Sequence, residues 1–562
     1  MYIILQQKRE VFMKRILFAV MSLAFTISAA EPVLKVGIIS DTHVKKNESS
    51  CNILAEAFKL FKSHNVDVIV NAGDIADVHN EQAYKNYCNT VKKIYPSKKP
   101  QEIFAFAWHD RIKRNLDPQE KVFADIKKHL KITHKMYDKF NIKGCTFLVF
   151  PQEVDFKRYD ETIALAVKEN PDKPIFVIDH VPAFNTVYNS MTWGNRERRN
   201  ILDKYPQVIQ LSGHVHGTLT NELNIWQGNF TAVNAGCLNT WAGALIGNTP
   251  ASMKSDMAMI MEVYPEKIVF RRFFSVTKTE YQPDTPWIVP LPFDKNNAPY
   301  NFERRKNASS APEFAEKAEL KAKVTEKNVL LSFPQALHQD GVFNYKITLK
   351  VKKDGKWVQF ARKDIMGNFM HEGKKRTRAA SVPLSIGYFD VGKSYRAEVV
   401  PVHFFGREGK ALAVEFEVKS KPAATVVYET SNPMKDCPYF SGIEGGEPMK
   451  LADDGFYNND SFNTRLLFPD HIWDGKKGMK FRFTVDMYMK QSDLRGWTLV
   501  LRNPTPLVNA NARIQTPAGD NGVSRYVIEF VKQGDAYKYY LLVREGEVGK
   551  IRFDYIKLER LD

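Results

Sequence analysis

Aspartate and histidine recur in short, ordered groups along the first half of the chain. They are Asp41-Thr42-His43, Gly73-Asp74-Ile75-Ala76-Asp77, Trp108-His109-Asp110, the lone His180, and Gly213-His214-Val215-His216. Carboxylates and imidazoles are the ligand types of first-row transition metals. In D-x-H and H-x-H, alternate side chains of an extended segment share one side, so each triplet can offer two donors to one centre. Two aspartates, Asp41 and Asp74, and four histidines, His43, His180, His214 and His216, are enough for two metals that share a bridging carboxylate. Each group alone is common by chance; the ordered set is not.

The groups sit where a layered fold would gather them. Apolar runs at Val33–Ser40, Val66–Asn71, Ile103–Ala107, Pro174–Ile178 and Val208–Ser212 read as strands, and each group follows the carboxyl end of one of them. In open α/β sheets that edge is where sites assemble. Thr146–Phe150 is a further strand. Helical spacing appears at Ile53–Ser63, from Asp117 to Phe140, at Tyr159–Lys168 and at Arg196–Lys204. Strands alternating with helices predict an α/β layered domain. It closes on a hairpin, Met257–Tyr264 and Lys267–Phe274, around a Pro265-Glu266 turn.

The order D-x-H, G-D-x-x-D, a third motif ending in His-Asp, a lone His and G-H-x-H resembles the calcineurin-like metallophosphoesterase family. The resemblance spans roughly residues 33–275. It implies that Asp41, His43 and His216 bind one metal, that His180 and His214 bind the other, and that Asp74 bridges them. It further implies that His109 protonates or stabilises the leaving group and that Asp77 orients and charges that imidazole. The cofactors implied are two divalent or trivalent transition-metal ions, with Mn, Fe and Zn all suited to mixed nitrogen and oxygen ligands. One position departs from the pattern. The family has Asn before the third-motif histidine, and here Trp108 stands there. Indole offers one N–H and no acceptor, so it cannot coordinate a metal. Asn80, Asn86, Asn89 and Asn115 are out of register, and Asn71 is the remaining amide near the pattern. Arg196, Arg198 and Arg199 could hold the rest of an anionic substrate. Tyr188, Trp193 and Trp241 could line its pocket.

The chain is 562 residues long, so two to four domains are expected. Met13-Lys14-Arg15, an apolar run Ile16–Ile27 and Ser28-Ala29-Ala30 predict a signal peptide over residues 1–30, with 1–12 upstream of the better start. Residues 31–278 are the phosphoesterase-like domain. Residues 279–314, rich in Pro, Asn and Ser, read as a linker. Residues 315–422 carry short strands without helices; Tyr395–Pro401 followed by Gly406 resembles part of a fibronectin type III domain. Residues 428–562 are again strand-rich and resemble a jelly roll. The expected fold is therefore α/β, a layered metallophosphoesterase sandwich followed by two all-β sandwich domains. Trp473, Trp497 and Tyr539 would be the residues to stack on a glycan at the last domain.

The formal charge is +17, but Lys and Arg are scattered, which argues against nucleic acid as a stable partner. Beyond the leader no stretch is apolar enough to span a membrane, so an extracytoplasmic, soluble protein is expected. The five cysteines are widely spaced and form no C-x-x-C, so no disulfide framework is expected. Two functions compete. One is an exported phosphoesterase. The other is a binding protein on a degenerate phosphoesterase fold, with glycan binding at the C-terminal domain.

Overall fold

The computed structural model describes residues 31–112, 114, 116–241, 254–370, 378–441, 447–459, 463–491, 498–502, 513–515, 522–535, 539–544 and 549–561. The expected leader at 1–30, Asn115, Trp497 and the Trp241 side chain lie outside what is described.

The N-terminal unit begins with strand β1 (Leu34–Ile39), helix α1 (Asn52–Ser63), β2 (Val68–Asn71), α2 (Glu81–Ile94), β3 (Gln101–Phe104) and α3 (Gln119–Leu130). It continues with β4 (Asp138–Ile142), β5 (Cys145–Val149), α4 (Phe156–Glu169), β6 (Ile175–Ile178), the short α5 (Ser190–Trp193), α6 (Arg196–Leu202) and β7 (Val208–Ser212). Then come β8 (Ile225–Gln227), β9 (Thr231–Asn234), β10 (Leu238–Trp241), the hairpin β11 (Lys254–Val263) and β12 (Lys267–Phe274), β13 (Thr279–Tyr281) and β14 (Trp287–Pro290). One sheet runs β13-β12-β11-β1-β2-β3, with β10 beside β11 and β14 beside β12; the other runs β4-β5-β6-β7-β9-β8. Within them β1, β2 and β3 are parallel, as are β5, β6, β7 and β9, so the carboxyl ends of each set share an edge.

The central strands β2, β5 and β6 read as largely apolar runs because both of their faces are buried. Leu34, Val36, Ile38, Val68 and Val70 face Phe147, Val149, Phe176, Ile178 and Leu211 across the two sheets. Ile39 and Ile69 point the other way, onto Leu54, Phe58 and Phe61 of α1. Leu148 and Val177 face Tyr159 and Ile163 of α4. The result is four layers, helices outside and two sheets within. Each such side chain contributes about 1.5–3 kcal/mol by leaving water, and together they hold the strand ends that carry the motifs.

Two expectations change. The helical pattern from Asp117 does not continue to Phe140: α3 stops at Leu130, Lys131 takes a left-handed φ of 56°, and β4 pairs antiparallel with β5. The apolar stripe Val122, Phe123, Ile126 and Leu130 ends there, and the chain must reverse to reach the sheet. Residues 279–314 are also not a free linker. β13 and β14 extend the first sheet, and a helix, α7 (Phe302–Ala308), follows, capped by the Asn301 side chain. Glu222 holds this segment. It accepts from Trp287 Nε1 at 3.0 Å, from Arg272 at 2.6 Å and from Arg305 at 2.6 Å. Composition marks turns and caps there, while three buried polar contacts do the anchoring.

Beyond it lie β15 (Lys321–Val324), β16 (Asn328–Pro334), β17 (Asn344–Lys353), β18 (Lys356–Met366), β19 (Ala379–Ser385), β20 (Ser394–Val402) and β21 (Leu412–Glu417). They form a sheet β15-β16-β19 and a sheet β18-β17-β20-β21 around Val329, Leu331, Tyr345, Ile347, Tyr395 and Val399. The C-terminal region forms two more five-stranded sheets. Trp473 and Tyr539 are buried in the core of that region and present no open face to a sugar. Among the described residues, no helix is long and apolar enough to cross a membrane.

Candidate metal centre

The loops after β1 and β2 run side by side. Asp41 N donates to Gly73 O, His43 N to Asp74 O, Val44 N to Ile75 O, and Asp77 N to Val44 O. These turns are not extended, contrary to the simple reading of D-x-H and H-x-H. Asp41, His43, Asp74, His214 and His216 have φ of 50°, 40°, 51°, 69° and 48°. A non-glycine residue pays roughly 1–2 kcal/mol for that conformation, and it persists where the surroundings over-determine it. Two glycines let the loops approach. A Cβ on Gly73, whose φ is 105°, would lie 2.6 Å from His180 Nδ1. One on Gly213 would lie 1.9 Å from Ser40 Oγ and 2.5 Å from Asp41 Oδ2.

The six ligand-type side chains converge. Asp41 Oδ1 is 3.1 Å from His216 Nε2 and 3.8 Å from His43 Nε2. Asp74 Oδ2 is 3.1 Å from His180 Nε2 and 3.9 Å from His43 Nε2. The ligand atoms of Asp41, His43, Asp74 and His216 lie within 4.8 Å of one another; so do those of Asp74, His180 and His214, and those of His43, Asp77 and His109. The second oxygen of Asp41 is engaged: it accepts from Ser40 Oγ at 2.7 Å and from His214 N at 3.0 Å. His180 Nδ1 is 2.8 Å from Ala72 O, which fixes the ring and aims Nε2 at Asp74.

The donor set fits transition-metal cations. His43 Nε2 is buried 3.8 Å from Asp41 and 3.9 Å from Asp74, beyond hydrogen-bond reach, and buried His180 Nε2 faces Asp74 at 3.1 Å without the alignment of a hydrogen bond, an arrangement proteins otherwise avoid. The protonation balance points the same way. Burial opposes charge on His43, yet Asp41, Asp77 and Asp74 lift its imidazole to about 10. Burial likewise opposes charge on His180, and Asp74 lifts it to about 9. Against the same burial, the imidazoles hold Asp74 at about 2 and Asp41 well below the carboxylate range. Buried carboxylates that stay anionic and draw protons onto their neighbours mark a site that calls for positive charge. His214 is pulled down to about 4, first by burial and then by His180, which leaves its nitrogen a neutral donor. Asp110, which the motif left without a role, accepts from Ile75 N and Ala76 N and so supports the Asp74 loop; burial and then Asp74 push its carboxyl up to about 7.

His109 sits at the rim of this set. Its backbone N donates to Asp74 Oδ1 at 3.0 Å, and its ring lies edge-on to His43 with centroids 4.5 Å apart. Its Nδ1 is 2.7 Å from the backbone carbonyl of Asp77. The Asp77 carboxylate turns elsewhere, 3.5 Å from His43 Nδ1 and 3.5 Å from Lys45 Nζ. Asp77 therefore orients His109 through its main chain, because its side chain faces His43 and Lys45. That contact selects the tautomer in which Nε2 is the free nitrogen.

Trp108 does not plug the centre. Its backbone N donates to Gln152 Oε1 at 2.7 Å and its ring is 41% exposed. Asn71 uses its carbonyl oxygen on Gly73 N. Asn80 caps α2, Asn86 donates to Lys45 O and Lys46 O, and Asn89 is exposed. Arg198 is buried, donating to Pro151 O and Gln152 O and lying 3.4 Å from Asp179, so it supports the Trp108 loop from beneath. Arg199 pairs with Asp203 and covers Trp226; Arg196 covers Phe184. Tyr188 packs on Phe343. Trp193, 37% exposed, meets His214 edge-on with centroids 5.8 Å apart and is the aromatic candidate that borders the site.

Residues 34–218 match the family model described as calcineurin-like phosphoesterase. No curated protein matches the chain. Among solved structures it is similar to a conserved uncharacterized protein of Streptococcus pneumoniae TIGR4 described as a predicted phosphoesterase, at 9% identity and a TM-score of 0.24, over 46% of this chain and 97% of that one. It is similar to a purple acid phosphatase from yellow lupin seeds at 11% identity and a TM-score of 0.32, over 44% of this chain and 52% of that one. It is also similar to a Thermus thermophilus sulfate thiohydrolase, SoxB, at 8% identity and a TM-score of 0.25, over 53% of this chain and 64% of that one.

Proposed function

We propose that the calcineurin-like phosphoesterase domain at residues 34–218 is a hydrolase of phosphate mono- or diesters that works with two transition-metal cations, Mn, Fe or Zn. One observation supports the pair above all. Asp74 Oδ2 approaches the His43 Nε2 of one donor group and the His180 Nε2 of the other. Asp41, His43 and His216 would hold one cation, His180 and His214 the other, with Asp74 between them. When bound, such a pair supplies Lewis-acid polarisation of phosphoryl oxygens and acidifies water.

The chain's own residues do the rest. Ser40 Oγ and His214 N fix the Asp41 carboxylate. Ala72 O orients His180. His109, held at Nδ1 by Asp77 O, keeps Nε2 facing the site, where the doubly protonated ring would hand a proton to the departing ester oxygen and keep its Nδ1–H on that carbonyl. Trp193, edge-on to His214, provides an apolar wall beside the centre. The reading of residues 1–30 as a leader places this chemistry outside the cytoplasm. A second reading, a binding protein on this fold, draws on Trp108, which stands where the resembled family has the amide that would join Asp74, His180 and His214. The retained His109 favours the enzyme, because a binder needs no proton donor.

The test is hydrolysis of chromogenic mono- and diesters by the metal-loaded full chain, beside His109→Ala. The expected result is turnover by the wild type, reduced about 10²–10⁴-fold in the variant with metal retained. A loaded wild type with no turnover on either ester would favour the binder.

A further inference from the structure

A second donor cluster lies far along the chain, in the first β-sandwich. His338 and Asp340 occupy the connection between β16 and β17, and His403 follows β20 directly. Their ligand atoms lie within 4.8 Å of one another, and the His338 and His403 rings have centroids 4.1 Å apart. We propose that His338, Asp340 and His403 form a separate binding site for one divalent cation of the zinc class.

His403 makes the strongest case. The residue is fully buried, and neither Nδ1 nor Nε2 has a hydrogen-bond partner. Its backbone is fixed, N donating to Arg407 O and O accepting from Gly406 N, so the ring is delivered to this spot by a defined turn. Its Nε2 stands 3.4 Å from Asp340 Oδ2. That is long for an N–H···O bond. It is the spacing of two ligands on one tetrahedral zinc: bonds of about 2.05 Å to nitrogen and about 2.1 Å to oxygen put those atoms about 3.4 Å apart.

His338 is oriented from outside. Its Nε2 is 3.0 Å from Ser310 Oγ, and its Nδ1 accepts from Asp340 N at 3.1 Å. Ligation through Nδ1 exchanges that one backbone contact and keeps the Ser310 bond as the usual outer-shell support of a metal-bound imidazole. Two neutral imidazoles and one carboxylate suit zinc, cobalt or nickel better than calcium or magnesium, which want oxygen. Asp340 is 29% exposed, which opens the cluster to solvent and leaves room for water as a further ligand.

The site lies at a joint. Ser310 follows α7, Gln282 Nε2 donates to Gln339 O, and Arg407 donates to Lys306 O and Asn307 O. Phe404 and Phe405 pack with Phe302 and Leu223 of the N-terminal unit. A cation here would pin two sandwich loops against the segment that leads out of the phosphoesterase domain, a structural role.

Equilibrium dialysis of the full chain against Zn²⁺, followed by elemental analysis, tests this in the wild type, Asp340→Asn, His403→Gln and Asp74→Asn. Asp340→Asn and His403→Gln are each expected to hold one equivalent less than the wild type. In Asp74→Asn, Zn²⁺ should still slow amide exchange at residues 338–342 and 403–407. Should His403→Gln fail to fold, Asp340→Asn, altered at a partly exposed position, decides. Zinc content equal to the wild type in the variants that fold, or amide exchange at those loops indifferent to Zn²⁺, would overturn the site. Neither readout uses ester hydrolysis, so loss of zinc from Asp74→Asn alone would leave the phosphoesterase reading standing and sink this one.

Discussion

Glu222→Gln should loosen the segment that follows the phosphoesterase domain, and by an amount that depends on pH in a defined way. Glu222 is buried between Arg272 on β12, Arg305 on α7 and the Trp287 indole on β14. Burial alone would raise its carboxyl, but the two arginines outweigh it and hold it at about 2, against an ordinary 4.5. A carboxyl lowered that far contributes about 3 kcal/mol at neutral pH. Breaking a buried ion pair from one side costs about 3–5 kcal/mol, so the two routes agree. Gln keeps the shape and an acceptor for Trp287 but strands two guanidinium charges. Because the folded value is depressed, the stabilisation is complete above about pH 4.5 and is lost as pH falls through about 2. At about 1.4 kcal/mol per decade, amide exchange in peptides covering residues 267–274 and 302–308 should be about 10²-fold faster in the variant at pH 7. The ratio should shrink to about tenfold at pH 3. A ratio within about threefold at pH 7, or one that does not change between pH 7 and pH 3, would refute the reasoning.

Trp108→Asn should raise metal content toward two per chain and raise ester hydrolysis at limiting Mn²⁺, since it returns an amide oxygen beside Asp74, His180 and His214; unchanged content with poorer turnover would assign the indole to the substrate pocket instead. N-terminal sequencing of the exported protein should find Glu31 first, and an intact Met13 in a cytoplasmic pool would contradict the leader.

The sheets were legible because strands buried on both faces are mostly apolar, as Val68–Asn71 and Val208–Ser212 are, buried along their whole length. The six ligand-type residues were legible because their order and spacing carry the chemistry. What escaped depends on contacts distant in sequence. The Asp77 carboxylate turns to His43 and Lys45, so its support of His109 comes from a carbonyl that every residue has. Nothing near Glu222 announces that it will meet Arg272 and Arg305, and without that anchor residues 279–314 read as a tether. The end of α3 turns on one left-handed lysine. His403 lies about sixty residues of strand and turn beyond His338 and Asp340, and the β17–β20 pairing brings it back to them.

The shared carboxylate is the centre of the account, and metal content tests it most directly. Asp74→Asn, His43→Ala and His214→Ala should be loaded with Mn²⁺ under one condition and analysed for bound metal. If Asp74 serves both cations, its variant should lose more metal than either histidine variant, each of which removes one ligand from one ion. Equal metal content in all three would contradict a bridge between the two donor groups.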